Sequence, residues 1–235
     1  MALRLDDLQL DGLKLYQDTD AFCFGMDAVL LSGFADVRPG ERVLDIGTGN
    51  GVLPVLLSAK TQAEHFTGIE IQEDAAKLAE KNVRLNGLED KITIICGDVR
   101  EFKGRFQVIV TNPPYIPCGS GIPAKDAKGI ARHEITLSLR GLMDTAASLL
   151  PQRGRMYMVH RAERLPDIID EMRRAKIEPK TLRTVHPCAD RDAQLVLVEG
   201  IRGGRPQMTV QPPLIIHDAE GHYTEEADRI YGIRH

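Results

Sequence analysis

A polar turn at residues 112–115, Asn-Pro-Pro-Tyr, follows the apolar segment VIVT and could hold a planar amino or amide nitrogen. The Asn112 side-chain oxygen and the Pro113 carbonyl can accept hydrogen bonds from the two N–H groups of such a nitrogen. Both prolines, Pro113 and Pro114, fix φ and remove N–H donors, which leaves a rigid turn rich in acceptors. The Tyr115 ring offers a stacking face worth about 1–3 kcal/mol to a planar base. These four residues are the candidate catalytic site; the alternative is a plain proline turn capped by Asn112.

A second candidate site is the glycine turn in VLDIGTGNGVL, where a predicted strand meets a predicted helix. Ligands of parallel sheets bind beyond the carboxyl ends of the strands. Gly47, Gly49 and Gly51 would let the backbone approach such a ligand closely. The spacing is GxGxG, because Val52 occupies the sixth place of the dinucleotide pattern GxGxxG, and this departure disfavours a nicotinamide cofactor.

Carboxylates recur at the ends of the predicted strands. Glu70 ends the second strand, where an acidic group accepts hydrogen bonds from ribose hydroxyls. Asp98 follows the third strand and could accept from an adenine amino group. Asp45 precedes the glycines and could order the turn or approach an ammonium group. S-adenosylmethionine has an ammonium, a sulfonium and a ribose but no pyrophosphate, so an acid-lined site suits it. Alone, each carboxylate is better explained as a helix cap or surface group.

Taken together, these features predict an S-adenosylmethionine site. The residues assigned to it are Asp45, Gly47, Thr48, Gly49, Gly51, Glu70, Ile71, Asp98, Val99 and Asn112.

The elements that would position these residues alternate between apolar runs and helical patterns, which predicts an α/β fold with a mostly parallel sheet. Strands are expected near 40–49 (a strand that enters the glycine turn), 65–71, 91–98, 106–115, 154–161, 180–187 and 193–202, and helices over 51–60, 73–87, 134–150 and 162–176. Asn86-Gly87 is a helix stop signal. Short strands are expected before residue 20, followed by a helix for which Asp27 is the predicted N-cap.

The chain divides into three predicted parts: an N-terminal extension (1–39), a cofactor-binding domain (40–204) and a C-terminal tail packed on the core (205–235). Residues 116–133 are rich in Gly, Pro and Lys, and a loop this long is typical of a lid or substrate-contacting segment, the alternative being a simple connector. In that loop Lys125, Lys128 and Arg132 are candidate phosphate contacts. Arg202 and Arg205 are the next candidates.

Composition limits the other classes. The 235 residues are 43% hydrophobic and 27% charged and contain no apolar run long enough for a membrane span. The N-terminus does not resemble a signal peptide. The four cysteines form no CxxC pair, which argues against a metal site and for reduced thiols in a cytoplasmic protein. The net charge is −4, yet residues 101–235 hold 20 Lys and Arg against 17 Asp and Glu, so a basic face toward nucleic acid remains compatible.

The glycine turn, the carboxylates at successive strand ends and TNPPY together resemble the class I methyltransferases that act on adenine N6 or glutamine N5. That resemblance implies a Rossmann-like fold with a seven-stranded, mostly parallel sheet and helices on both faces. Three further segments, 17–35, 131–134 and 212–232, resemble the tRNA adenine-N6 methyltransferase family. Membership would imply N6 methylation of the adenosine 3′ of the anticodon, with tRNA as partner and neither metal nor membrane.

Three alternatives stay open. A protein glutamine N5-methyltransferase would use the same turn, but those enzymes resemble this chain only in the core and have an N-terminal helical domain, for which about forty residues are too few. A non-catalytic binding protein of the same fold would have no need to keep both the cofactor residues and the catalytic turn. A nicotinamide oxidoreductase would bind NAD instead. His133 and His160 are possible bases, but their positions assign them no role.

Overall fold

The computed structural model describes residues 2–19, 25–113 and 137–232. Within these ranges a nine-stranded sheet has the order β10-β8-β9-β7-β6-β3-β4-β5, with β11 also paired to β8. Its strands are β3 (Arg42–Ile46), β4 (His65–Glu70), β5 (Ile92–Cys96), β6 (Val108–Thr111), β7 (Arg155–Arg161), β8 (Ile177–His186), β9 (Leu195–Arg202), β10 (Thr209–Val210) and β11 (Leu214–Ile215).

The first seven of these strands form the sheet that the sequence predicts. β3 to β7 are parallel to one another, and only β9 runs antiparallel, between β7 and β8. From β3 the chain moves outward through β4 and β5, then returns to place β6 on the other side of β3. The strand order therefore reverses between β3 and β6, and their carboxyl ends open the crevice where such sheets bind ligands.

Helices cover both faces of the sheet. They are α1 (Met26–Phe34), α2 (Val52–Lys60), α3 (Glu73–Leu85), α4 (Leu139–Leu149), α5 (Leu165–Arg174) and α6 (Glu225–Tyr231). Because side chains alternate along a strand, β3 sends Val43 into a core with α1, α2 and α3, and Leu44 into a second core with α4 and α5. The central strands are buried on both sides, which explains their continuous apolar runs.

Two short segments extend this core. At the N-terminus β1 (Leu3–Asp7) and β2 (Lys14–Asp18) form an antiparallel hairpin that packs on α3. At the C-terminus β10 and β11 both pair with β8, and α6 packs against α1. Residues 209–232 thus pack on the core, and they add two strands of two residues each to the seven that the sequence predicts.

Two local predictions were wrong. β8 begins at Ile177, not near residue 180, because the buried Ile177 pairs with Arg202 ahead of an irregularity between Pro179 and Thr181. A proline within a strand hides its beginning from sequence analysis. In α1 the N-cap is Gly25, and Asp27 is the second residue of the helix. Asp27 is half-buried, and this burial raises the pKa of its carboxyl.

Across the three described ranges, no helix is both long and apolar enough to cross a membrane. Cys96 and Cys188 are free thiols, whereas Cys23 and Cys118 lie outside those ranges.

Gly68 in β4 supports the glycine turn by leaving room for Thr48. A Cβ at position 68 would lie 2.7 Å from Thr48 Oγ1 and 2.9 Å from Ile94 Cδ1. We expect Gly68→Ala to lower the free energy of unfolding by about 1–3 kcal/mol, because the added methyl overpacks a buried strand. Urea unfolding checks this, with Gly97→Ala as the control, since a Cβ there meets nothing within 4 Å. Equal stability of the two variants would contradict the packing argument.

Candidate active site

A cleft of about 580 Å³ lies at the carboxyl edge of the sheet, beside the point where the strand order reverses. Twelve described residues line it: Ile46, Gly47, Ile69, Glu70, Ile71, Gly97, Asp98, Val99, Thr111, Pro113, Leu137 and Leu142. Aliphatic side chains form most of its surface, and the carboxylates are confined to the ends of β4 and β5. Such a slot suits a flat heterocycle that has polar groups at one end.

The glycine turn between β3 and α2 forms one side of the cleft. Gly47, Gly49 and Gly51 have φ values of +74°, +57° and +83°, the left-handed region that other residues rarely adopt. The N–H groups of Gly47 and Thr48 both donate to the Ile69 carbonyl, at 2.9 and 3.1 Å. The turn is therefore tied to the end of β4, with open space beside Gly47 and Gly49.

Glu70 joins the turn to β4 through its side chain. Its carboxylate accepts the Gly49 N–H at 3.0 Å and the Gln72 N–H at 2.9 Å. Although only 3% exposed, Glu70 lines the cleft. Each carboxylate oxygen has two lone pairs, so Glu70 can still accept hydrogen bonds from the hydroxyls of a ligand.

Asp98 reaches the cleft from the segment after β5, but it is already paired with Arg100. Its Oδ1 accepts the Arg100 backbone N–H at 2.9 Å, and the Arg100 guanidinium binds both carboxylate oxygens. Hydrogen bonding from Arg100 lowers the pKa of Asp98, which keeps the carboxylate charged. The neighbouring Val99 is buried and Ile71 is exposed, and both line the apolar part of the cleft.

Asp45 lies beneath the glycine turn, only 1% exposed. Neither of its carboxylate oxygens, nor Thr48 Oγ1, has a hydrogen-bond partner among the described residues. Burial raises the pKa of Asp45 to about 7, and the charge of Glu70 adds to this rise. The nearby Thr48 hydroxyl opposes the rise, although Thr48 Oγ1 lies outside hydrogen-bonding geometry. A buried, unpaired carboxyl is costly. A cation above the turn would favour its charged form.

The predicted catalytic turn starts at the same edge. Thr111 ends β6, and its hydroxyl donates to the Ile46 carbonyl at 2.9 Å, which fixes the end of β6 against β3. Asn112 and Pro113 follow directly, and Pro113 lines the cleft. Pro114 and Tyr115 lie outside the described residues. The structure thus brings the first half of the turn next to Gly47, Glu70 and Asp98.

None of the predicted phosphate contacts is placed at the cleft by the described part of the chain. Lys125, Lys128 and Arg132 lie outside the described residues, as does His133. Arg202 lies at the opposite edge of the sheet, where it donates to the Ala175 carbonyl at 2.8 Å. Arg205 follows it there, its carbonyl bound by Lys180. Both arginines lie away from the cleft, because β9 runs antiparallel and ends at the amino ends of the parallel strands.

His160 is buried at the end of β7. Burial, and then the nearby Arg164, lowers its pKa to about 4, so the imidazole is neutral near pH 7. Its Nδ1 accepts the Arg161 N–H at 2.9 Å. This bond and this burial are typical of a structural residue.

Three residues of the site were not predicted from the sequence. Leu137 and Leu142 close the apolar side of the cleft, but their distance along the chain gave no signal. Asn82 of α3 is 0% exposed and donates to the Asn50 carbonyl of the glycine turn at 2.9 Å. A polar residue on the apolar face of α3 could have indicated it, since buried amides need partners.

A family model described as methyltransferase small domain matches residues 25–174, which cover the glycine turn, the carboxylates and the catalytic turn. The chain belongs to the methyltransferase small domain family. The family makes it an S-adenosylmethionine-dependent methyltransferase, as the sequence predicts.

Curated relatives align over nearly the whole chain. A protein of Tolumonas auensis named tRNA1(Val) (adenine(37)-N6)-methyltransferase is 29% identical over 229 residues, 92% of each chain. A protein of the same name from Porphyromonas gingivalis is 30% identical over 223 residues, 88% of this chain and 86% of its own.

Solved structures support the fold. A predicted O-methyltransferase from Agrobacterium tumefaciens superposes with a TM-score of 0.70 at 22% identity, over 88% of this chain and 95% of its own. Trm5 from Methanocaldococcus jannaschii, in complex with adenosine, superposes with a TM-score of 0.62 at 20% identity, over 86% of this chain and 56% of its own. At these identities the likeness establishes the class I methyltransferase fold alone.

The cleft residues fit S-adenosylmethionine. Glu70 has free acceptor capacity for ribose hydroxyls, and the aliphatic walls suit a purine ring. The unpaired Asp45 carboxyl is buried beneath the turn and does not line the cleft, and a cation nearby would stabilise its charged form. Because Asp98 is paired with Arg100, an adenine amino group could bind Asp98 either through a remaining lone pair or by displacing Arg100. The charged residues among the described lining, Glu70 and Asp98, are both acidic and would repel a pyrophosphate.

The raised pKa of Asp45 makes folding stability depend on pH. In the unfolded chain this carboxyl ionises near pH 4, whereas in the folded protein it holds its proton to about pH 7. The contribution of Asp45 to stability should therefore fall as pH rises through this window, by at most about 1.4 kcal/mol per pH unit, and Asp45→Asn should remove this contribution. Urea unfolding of the cofactor-free protein from pH 5 to pH 8 measures it. Asp98→Asn is the control, because its lowered pKa lies below this range. Parallel curves for wild type and Asp45→Asn would contradict the assignment.

Proposed function

We propose that this protein transfers a methyl group from S-adenosylmethionine to N6 of an adenosine in tRNA, the adenosine 3′ of the anticodon. The observation that carries the proposal is the meeting of the β6 end at Asn112 and Pro113 with the acid-rimmed apolar cleft. The names of the curated relatives support adenosine and tRNA as the substrate. A tRNA substrate in turn favours a cytoplasmic location.

In this proposal the exocyclic amine of the target adenine donates its two N–H groups to the Asn112 side-chain oxygen and the Pro113 carbonyl. Both bonds draw the nitrogen lone pair out of the purine π system, where it is otherwise delocalised. S-adenosylmethionine supplies the electrophilic methyl group on a positively charged sulfur. A bond forms between N6 and the methyl carbon as the bond from that carbon to sulfur breaks. Tyr115 would supply a stacking face for the base.

Proton removal needs no strong base, because N6 becomes acidic once it is methylated. This agrees with the groups present in the described part of the cleft. Glu70 is bonded to two backbone N–H groups and Asp98 is paired with Arg100. His160 is buried in β7 and is not one of the described residues that line the cleft. The proton can pass to water after the transfer.

The target base must leave its stack to reach Asn112, because the cleft lies within the edge of the sheet. Adenosines in single-stranded loops meet this requirement at little cost. The anticodon loop is such a segment.

Methyl transfer from radiolabelled S-adenosylmethionine tests the function. Unmodified tRNA, duplex DNA and a release-factor-like protein are offered in parallel, and the label is identified by chromatography of the digested products. The proposal expects N6-methyladenosine in tRNA alone. Label in protein as N5-methylglutamine would make the glutamine reading correct. Cofactor binding without any transfer would favour a binding protein of this fold, and affinity for NAD instead would favour an oxidoreductase.

Replacing Asn112 tests the catalytic turn. We expect Asn112→Ala to lower the rate of transfer by at least about a hundredfold, because one of the two acceptors for the target amine is lost. The affinity for S-adenosylmethionine, measured by calorimetry, should stay within a few-fold. Full activity in this variant would overturn the proposed mechanism.

Lys125 and Lys128 remain candidate phosphate contacts. The double replacement Lys125→Ala/Lys128→Ala should weaken tRNA binding and reduce the slope of log affinity against log salt by roughly 1.4–1.8, if each lysine neutralises one phosphate. Arg205→Ala is the matched control, because Arg205 lies at the opposite edge of the sheet. An unchanged slope in the double variant would remove both lysines from the RNA interface.

A further inference from the structure

The N-terminal hairpin is held to α3 by two asparagine side chains that pair with the backbone of β2. Asn82 Oδ1 accepts the Tyr16 N–H at 2.7 Å, and Asn82 Nδ2 donates to the Tyr16 carbonyl at 3.0 Å. Asn86 does the same with Lys14, at 2.9 and 2.8 Å. The two amides are one helical turn apart and contact alternate residues of β2. The side chains of α3 therefore satisfy backbone groups of β2 that a neighbouring strand would otherwise bind.

Only one of these asparagines also contacts the cofactor turn. Asn82 Nδ2 makes a second bond, at 2.9 Å, to the carbonyl of Asn50, which lies between Gly49 and Gly51. The second bond of Asn86 Nδ2 goes to the carbonyl of Asn82 within its own helix, at 2.7 Å. The hairpin and the glycine turn therefore share the amide group of a single fully buried side chain.

The contact surface around Asn82 leaves the turn little freedom. A Cβ at Gly51 would lie 3.2 Å from Ala79 Cβ, one turn of α3 before Asn82. On the hairpin side, the Lys81 ammonium lies 3.9 Å from the centre of the Tyr16 ring. The α3 segment 79–82 is thus packed against the turn on one side and against β2 on the other.

We propose that Asn82 is a positioning residue for the cofactor turn, and that through it the docking of the N-terminal hairpin and the binding of S-adenosylmethionine are energetically coupled. The buried amide has one orientation that satisfies all three of its bonds. If β2 moves away, Asn82 loses two of these bonds and no longer holds the Asn50 carbonyl in place. Coupling is reciprocal, so cofactor binding must tighten the hairpin by the same factor.

This inference rests on the assignment of the glycine turn to the cofactor and not on the identity of the methyl acceptor. Binding of S-adenosylmethionine to the wild-type protein is therefore measured first, by calorimetry. No binding would refute the cofactor assignment itself, whereas binding allows the coupling to be tested separately.

Asn82→Asp and Asn86→Asp form the matched pair. Both variants replace an amide nitrogen that donates to β2 with an acceptor oxygen, but only Asn82→Asp also breaks the bond to Asn50. We expect the affinity for S-adenosylmethionine to fall about tenfold or more in Asn82→Asp and to stay within about threefold in Asn86→Asp. In steady-state assays Asn82→Asp should raise the KM for the cofactor and leave kcat at saturating cofactor within about twofold.

Hydrogen exchange of the wild-type protein tests the coupling without any variant. Addition of S-adenosylmethionine should slow exchange of the Tyr16 amide, which donates to Asn82, more than that of the Ile216 amide. The Ile216 amide donates to the His186 carbonyl beside the outer strands β8 and β11, on the opposite side of the sheet from β5. Equal cofactor affinities in the two variants, or equal slowing at both amides, would overturn the proposal. If Asn82→Asp fails to fold, the hydrogen-exchange result alone decides.

Discussion

The Glu70 carboxylate links the two parts of the cofactor cleft, because it accepts one N–H from the glycine turn after β3 and another from the segment after β4. Parallel strands that end together would otherwise present several loops with independent freedom. Here the backbone of Gly47 and Thr48 also bonds to the Ile69 carbonyl, and the Thr111 hydroxyl bonds to the Ile46 carbonyl. The ends of β3, β4 and β6 consequently form one rigid edge, and the catalytic turn begins on it.

This edge separates two chemical tasks. In the proposed function, polar groups near β4 and β5 bind the polar ends of the nucleoside, whereas aliphatic side chains from α4 and its preceding segment provide the flat apolar wall. The cost of the arrangement is concentrated in Asp45, a buried carboxyl without a described partner, whose pKa rises to about 7. Unsatisfied groups of this kind are rare in structural cores and common at binding sites. The cleft and the buried Asp45 carboxyl are thus consistent with the ligand-binding site that a methyltransferase of this family requires.

The α/β alternation, the glycine turn and the carboxylates after β4 and β5 could be predicted from sequence, because each depends on residues close together along the chain. Leu137, Leu142 and Asn82 could not, since they reach the cleft through packing of distant helices. The start of β8 was missed because Pro179 interrupts the strand pattern. The distance of Arg202 and Arg205 from the cleft could not be predicted, because it depends on the antiparallel direction of β9, which the basic composition of the segment does not reveal.

The most direct test of the account is the affinity of Glu70→Gln for S-adenosylmethionine, measured by calorimetry beside the wild-type protein. The amide keeps the size of the side chain but leaves only one acceptor oxygen for the two backbone N–H groups and the ligand hydroxyls. We expect a loss of affinity of about tenfold or more with the fold retained, as judged by circular dichroism. An unchanged affinity would contradict the central claim that this carboxylate organises the cofactor site.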